Sequence, residues 1–94
     1  MDKEKLYSEI VNYLKSQGAT KIAVFGSYVR NEETPDSDID VLVDFKQPIT
    51  LFDFAGYQIE LQEKIGKKID LVMEGGMNPL VEKYALKDYL VLFQ

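Results

Sequence analysis

The chain is expected to fold as one α/β domain of the α+β kind, a small mixed β-sheet covered by helices. Three observations point there. Its 94 residues suffice for one hydrophobic core, so a single domain spans 1–94. Apolar residues make up 46% and charged residues 29%, a balance that folds and does not stay disordered. Segments with helical spacing alternate with short β-rich runs, the order of a helix-covered sheet.

The elements follow in order. Leu6, Ile10, Val11 and Leu14 recur at helical spacing over residues 3–16, and Gly18 is a stop signal. The run KIAVF (Lys21–Phe25) reads as a buried strand. Gly26-Ser27 follows, then YVRN, which suits one helical turn. EETPDS is a loop: Pro35 biases Thr34 away from helix, and Asp36 and Ser37 favour turns. DIDVLVDF is the second strand and KQPIT a turn. LFDFAGYQIELQEKIG places Leu51, Phe54, Ala55, Ile59, Leu61 and Ile65 roughly at helical spacing, with Gly66 as the cap. KKIDLVM is the third strand. EGGMNP is a loop in which Asn78 can cap a helix and Pro79 can begin it; LVEKYAL is then a short helix. The closing YLVLF is apolar and suits a terminal strand. No repeat, linker or low-complexity segment interrupts this order.

Composition excludes several chemistries. Without cysteine there is no disulfide, thiolate nucleophile or Cys-based zinc site. Without histidine there is no imidazole base and no His-liganded metal. Any metal must be held by oxygen, which points to hard cations such as Mg²⁺ or Mn²⁺. A net charge of −5 argues against general nucleic-acid binding. The charged, amphipathic start is unlike a signal peptide, and no apolar run reaches the length of a membrane span, so a cytoplasmic protein is expected.

The acids carry the chemistry. If Asp38 and Asp40 lie in one strand, their side chains share a face about 6.5–7 Å apart, while Ile39, Val41 and Val43 face the core. Carboxylates so close repel unless a divalent cation lies between them. A lone Asp-x-Asp is more often turn solvation. Asp70 changes the balance, because an acid flanked by Ile69 and Leu71 is disfavoured in mid-strand. Should the third strand adjoin the second, Asp70 reaches the same face and three carboxylates form a hard-metal site; otherwise it marks an edge strand facing water. Gly26 permits a sharp turn after the first strand, and Ser27 then opens a helical turn whose N–H groups attract phosphate. Arg30, three residues on, lies on the same side and can clamp phosphate oxygens. Taken singly, Ser27 would be an ordinary N-cap and Arg30 a surface arginine. Glu32, Glu33, Asp36 and Asp44 read as solvated; Tyr28 covers a ligand or packs.

Gly26-Ser27, ten intervening residues and Asp38-Ile39-Asp40 together resemble the Gly-Ser-x10-Asp-x-Asp signature of the DNA polymerase beta-like nucleotidyltransferase superfamily. Asp70 matches its third carboxylate, and Arg30 the arginine of its small prokaryotic branch, the minimal nucleotidyltransferases of MntA-like antitoxin type. The resemblance covers nearly the whole chain and implies the nucleotidyltransferase fold. It implies transfer of a nucleoside monophosphate, foremost AMP from ATP, to a hydroxyl. In that scheme Gly26, Ser27 and the backbone to Tyr28 hold the terminal phosphates, with Arg30 neutralising charge. Asp38 and Asp40 bind two Mg²⁺ ions (Mn²⁺ as a substitute), and Asp70 completes the second metal site and assists the attacking hydroxyl.

The resemblance also implies a partner, a HEPN-domain ribonuclease toxin. The chain has no room for the helical domain that larger members add, and little left for an acceptor pocket. Two rivals stand beside an enzyme that modifies a partner protein: an antitoxin that masks its toxin by binding alone, and a transferase acting on RNA.

Overall fold

The computed structural model describes residues 2–73 and 88–94. Helix α1 (Lys3–Ser16) leads into strand β1 (Ala19–Phe25), a 3₁₀ turn (Gly26–Tyr28) and strand β2 (Ile39–Phe45). Helix α2 (Leu51–Ile65), strand β3 (Ile69–Met73) and strand β4 (Tyr89–Phe93) follow. The expected EGGMNP loop, with Asn78 and Pro79, and the expected LVEKYAL helix fall outside the described residues. No helix among the described residues is long and apolar enough to cross a membrane.

Local chemistry sets the helix ends. Asp2 accepts a hydrogen bond from the Lys5 amide and caps α1. Gly18 adopts φ +96° just beyond that helix, as its stop signal requires. Thr50 and Asp53 form a reciprocal capping box at the start of α2, and Gly66 closes it with φ +75°.

The four strands run in the order β3-β2-β1-β4. β1 pairs antiparallel with both β2 and β4, and β2 pairs parallel with β3, so the sheet is mixed as expected. The terminal YLVLF is a strand. Both helices pack on one face. Leu6, Ile10 and Leu14 of α1 and Leu61 and Ile65 of α2 meet Ile22, Val24, Ile39, Val41, Val43, Ile69 and Leu71 of the sheet. Tyr13 joins this core, and its hydroxyl donates a 2.9 Å hydrogen bond to Glu60, tying α1 to α2. Val11 lies only at its margin.

The spacing over α2 divides differently from expectation. Phe54, Tyr57, Leu61 and Ile65 turn inward, whereas Leu51 is 85% and Ile59 56% exposed, and Ala55 lies outside too. One helix face cannot hold both sets: 55 and 59 point away from the side that carries 54, 61 and 65.

Burial and the bond to Glu60 push the Tyr13 hydroxyl up to about 12. Its proton is therefore held more tightly folded than unfolded, so its stabilisation is complete below pH 10 and declines between pH 10 and 12. Denaturant melts across that range should show a steeper loss of stability in the wild type than in Tyr13→Phe, which lacks the titrating group.

Candidate active site

Phe25 ends β1 and Gly26 turns the chain with φ +78°. The backbone then closes a 3₁₀ turn in which the amides of Val29 and Arg30 both donate to the Gly26 carbonyl, at 3.1 and 3.3 Å. The Glu32 amide donates to the Ser27 carbonyl at 2.9 Å. This turn begins earlier than the expected YVRN turn. At three residues it is too short for a substantial macrodipole, so any affinity for phosphate rests on its leading amides and the Ser27 hydroxyl. Tyr28 points inward and is buried, which decides for packing. Arg30 is exposed, with Nε 3.2 Å from Glu32 Oε2.

The β2–β3 ladder brings the acids together. Ile39, Val41 and Val43 are buried against the helices, so Asp40 lies on the opposite face. Ile69 and Leu71 do the same for Asp70. The parallel register places Asp40 and Asp70 side by side as Cα partners. β3 is also an edge strand and Asp70 is exposed, so Asp70 both adjoins Asp40 and faces water. Asp38 differs from expectation: the ladder begins with the Ile39 amide donating to the Lys68 carbonyl, so Asp38 precedes the strand and no pleat fixes its direction. Its Oδ2 lies 3.8 Å from Lys68 Nζ.

Asp40 is the electrostatic centre. Burial raises its pKa first, and the charges of Asp70 and Asp38 raise it further; Arg30 acts in the opposite sense. Four of the six sequence-predicted site residues are thus coupled through Asp40. A fifth, Gly26, touches it directly: a Cβ on Gly26 would overlap the Asp40 carboxylate. The Gly26–Tyr28 turn and the acids therefore lie together, with Ser27 beside Gly26.

All-oxygen donors in mutual repulsion suit a hard cation. They do not form a closed cage, since among the described residues no group of three acids is placed to hold an ion unaided. Asp38 turned toward Lys68 is one cause. Oxygen ligands from a bound phosphate ester would be needed to complete a coordination shell.

Lys3 is a residue that periodicity and motif did not reveal. Its ammonium donates to the Tyr28 carbonyl at 2.9 Å and to Asn31 Oδ1 at 2.7 Å, and pairs with Glu33. Glu33 is accordingly not a solvated loop acid. Its ion pair with Lys3 holds its pKa below the ordinary carboxylate value. Nothing in sequence could have signalled a pairing across thirty positions between a helix and an irregular loop.

Replacing Gly26 with alanine should destabilise the fold by about 1–2 kcal/mol from the left-handed backbone alone, with a further loss from the clash with Asp40. The clash component should shrink in an Asp40→Ala background. A double-mutant cycle by urea denaturation measures that coupling; strict additivity would mean that the two residues do not touch.

Comparison with known proteins agrees with this geometry. The family model described as nucleotidyltransferase domain matches residues 7–92. The protein adenylyltransferase MntA of Thermococcus cleftensis is 39% identical over 71 residues, covering 76% of this chain and 72% of that protein. A solved structure described as a candidate minimal nucleotidyltransferase is 34% identical, with a TM-score of 0.78 over 96% of this chain and 95% of that one. A solved complex of a tri-AMPylated Shewanella oneidensis HEPN toxin with an MNT antitoxin has a TM-score of 0.81, covering 98% of this chain and 72% of that one. At 17% identity that last likeness concerns the fold alone. With a matching family model over most of its length and a protein adenylyltransferase among its relatives, the chain belongs to the nucleotidyltransferase domain family.

Proposed function

We propose that this chain transfers AMP from ATP to a hydroxyl of a HEPN-domain toxin, with Mg²⁺ as cofactor, and so acts as an antitoxin. The observation that carries the reading is the Asp40 carboxylate lying against Gly26 and abreast of Asp70, which brings the Gly26–Tyr28 turn and paired carboxylates together. The acceptor assignment draws on the AMPylated HEPN toxin seen with a structural neighbour and on the adenylyltransferase name of a relative. With ATP as donor, a cytoplasmic location is part of this proposal.

In this reading the amides of the Gly26–Tyr28 turn and the Ser27 hydroxyl bind the terminal phosphates, and Arg30 offsets their charge. Asp38 and Asp40, with Asp70, hold the divalent ions. When bound, Mg²⁺ supplies charge neutralisation at the triphosphate and makes an acceptor hydroxyl more acidic. The acceptor oxygen bonds to the α-phosphorus, the bond from that phosphorus to the bridging oxygen breaks, and pyrophosphate leaves with the electron pair. Asp70, exposed on the edge strand, assists by taking the hydroxyl proton in this reading. Positioning and electrostatics supply most of the rate, as is general for phosphoryl transfer.

Incubation of the chain with α-labelled ATP, Mg²⁺ and a co-expressed HEPN toxin should place label on a toxin hydroxyl. Asp40→Asn should lower the rate by about a thousandfold, comparable to removing a principal electrostatic group from an active site. A toxin silenced without added AMP mass, and silenced equally by the Asp38→Asn, Asp40→Asn double variant, would show an antitoxin that masks by binding.

A further inference from the structure

We propose that Lys3 is a positioning residue for the nucleotide, holding the loop that carries Ser27 and Arg30 in its phosphate-binding shape. The inference rests on the reading of that turn given under the proposed function.

A lysine ammonium has three N–H donors. Here all three directions are engaged by one loop: the Tyr28 carbonyl, Asn31 Oδ1 and the Glu33 carboxylate. The first two lie one residue beyond Ser27 and Arg30, so each ligand-facing residue stands next to a group that Lys3 holds. Nζ also sits 5.8 Å from the centroid of the Tyr28 ring, which anchors the turn in the core.

The loop needs such a tie. Beyond the 3₁₀ turn it forms no regular element before β2. Asn31 is the single non-glycine residue with positive φ among the described residues, at +58°, and its side chain is one of the groups that Lys3 grips. Lys3 also sorts the charges. The loop carries two adjacent acids; Glu33 is taken by Lys3, and among the described residues Arg30 pairs with Glu32. Released, Glu33 becomes a second carboxylate competing for Arg30 and repelling a triphosphate. The anchor itself is firm, because Lys3 opens α1 next to its Asp2 cap, and Leu6 and Ile10 bury that helix in the core.

Lys3 therefore acts through the loop and does not touch the ligand. Global destabilisation leaves the affinity of the folded protein unchanged; a distorted loop lowers it. Equilibrium binding of Mg·AMP-PNP to the full chain, with melting curves alongside, separates the two. Lys3→Met, which keeps length but removes charge and donors, should weaken binding by about five- to tenfold, the order expected for losing charge-assisted contacts. KM for ATP should rise by the same factor, while kcat falls by less. Lys3→Arg should recover part of the affinity. Lys5→Met, an equal charge change at an exposed neighbouring position, should bind as the wild type does. Should Lys3→Met fail to fold, Glu33→Gln carries the test, with a smaller loss expected from removing one of the three contacts. Wild-type affinity in folded Lys3→Met or, in its place, Glu33→Gln, with binding weakened in Ser27→Ala, would overturn the role of Lys3 alone. Wild-type affinity in Ser27→Ala would overturn the reading of the turn as a phosphate seat, and this inference with it.

Discussion

The structure depends on keeping Asp40 where electrostatics disfavours it. Neighbouring strands lie about 5 Å apart, and two unit charges at that distance repel by roughly 1 kcal/mol in bulk water or about 3 kcal/mol at an effective dielectric of 20. Asp40 and Asp70 meet that cost as register partners, and among the described residues neither forms an ion pair or a side-chain hydrogen bond. The register holds because the alternate positions outweigh it. Ile39, Val41, Val43, Ile69 and Leu71 are buried on the other face, each contributing on the order of 1.5–3 kcal/mol. A slip of β3 by one residue would send Ile69 and Leu71 to the wrong face. The sheet therefore stores an unmet demand for positive charge at a fixed point.

Around that point the other acids have partners. Asp38 faces Lys68, Glu32 faces Arg30 and Glu33 faces Lys3. The rim is thus partly neutralised while the centre is not, so uncompensated negative charge is concentrated at Asp40 and Asp70. The bare acids would repel a triphosphate, and the open arrangement of the carboxylates lacks a full set of ligands. Under the proposed function each deficiency would suit the other: a divalent cation held with the nucleotide would offset the carboxylate charge and draw its remaining ligands from the phosphates.

The two lobes of the site are supported unequally. Strands hold the carboxylate lobe through continuous ladders. The lobe proposed to seat phosphate is a short turn and an irregular loop, supported by the buried Tyr28 ring, the Gly26 carbonyl with its two amide donors, and the Lys3 ammonium. Gly26 links the lobes, since only a residue without Cβ lets the turn and the Asp40 carboxylate share that space.

The sequence by itself determined the order of the described elements and the mixed sheet, and it named the candidate site residues. Local rules sufficed for these: helical spacing in α1, glycine stops at 18 and 66, β-rich runs before Gly26 and around Asp40 and Asp70, and a ten-residue spacer between Ser27 and Asp38. Tertiary structure decided what depends on partners distant in the chain. The β2–β3 register made Asp40 and Asp70 neighbours, where the sequence could state this only as a condition on strand order. Pairing with Lys68, at the first rung of the ladder, drew Asp38 aside. The sheet took the 54, 57, 61 and 65 side of α2 and left Leu51 and Ile59 outside, because apolar residues on both sides made periodicity ambiguous. Lys3 and Glu33 were invisible as a pair, since a solvated charge and a structural one look alike until the chain folds and brings residues thirty positions apart into contact.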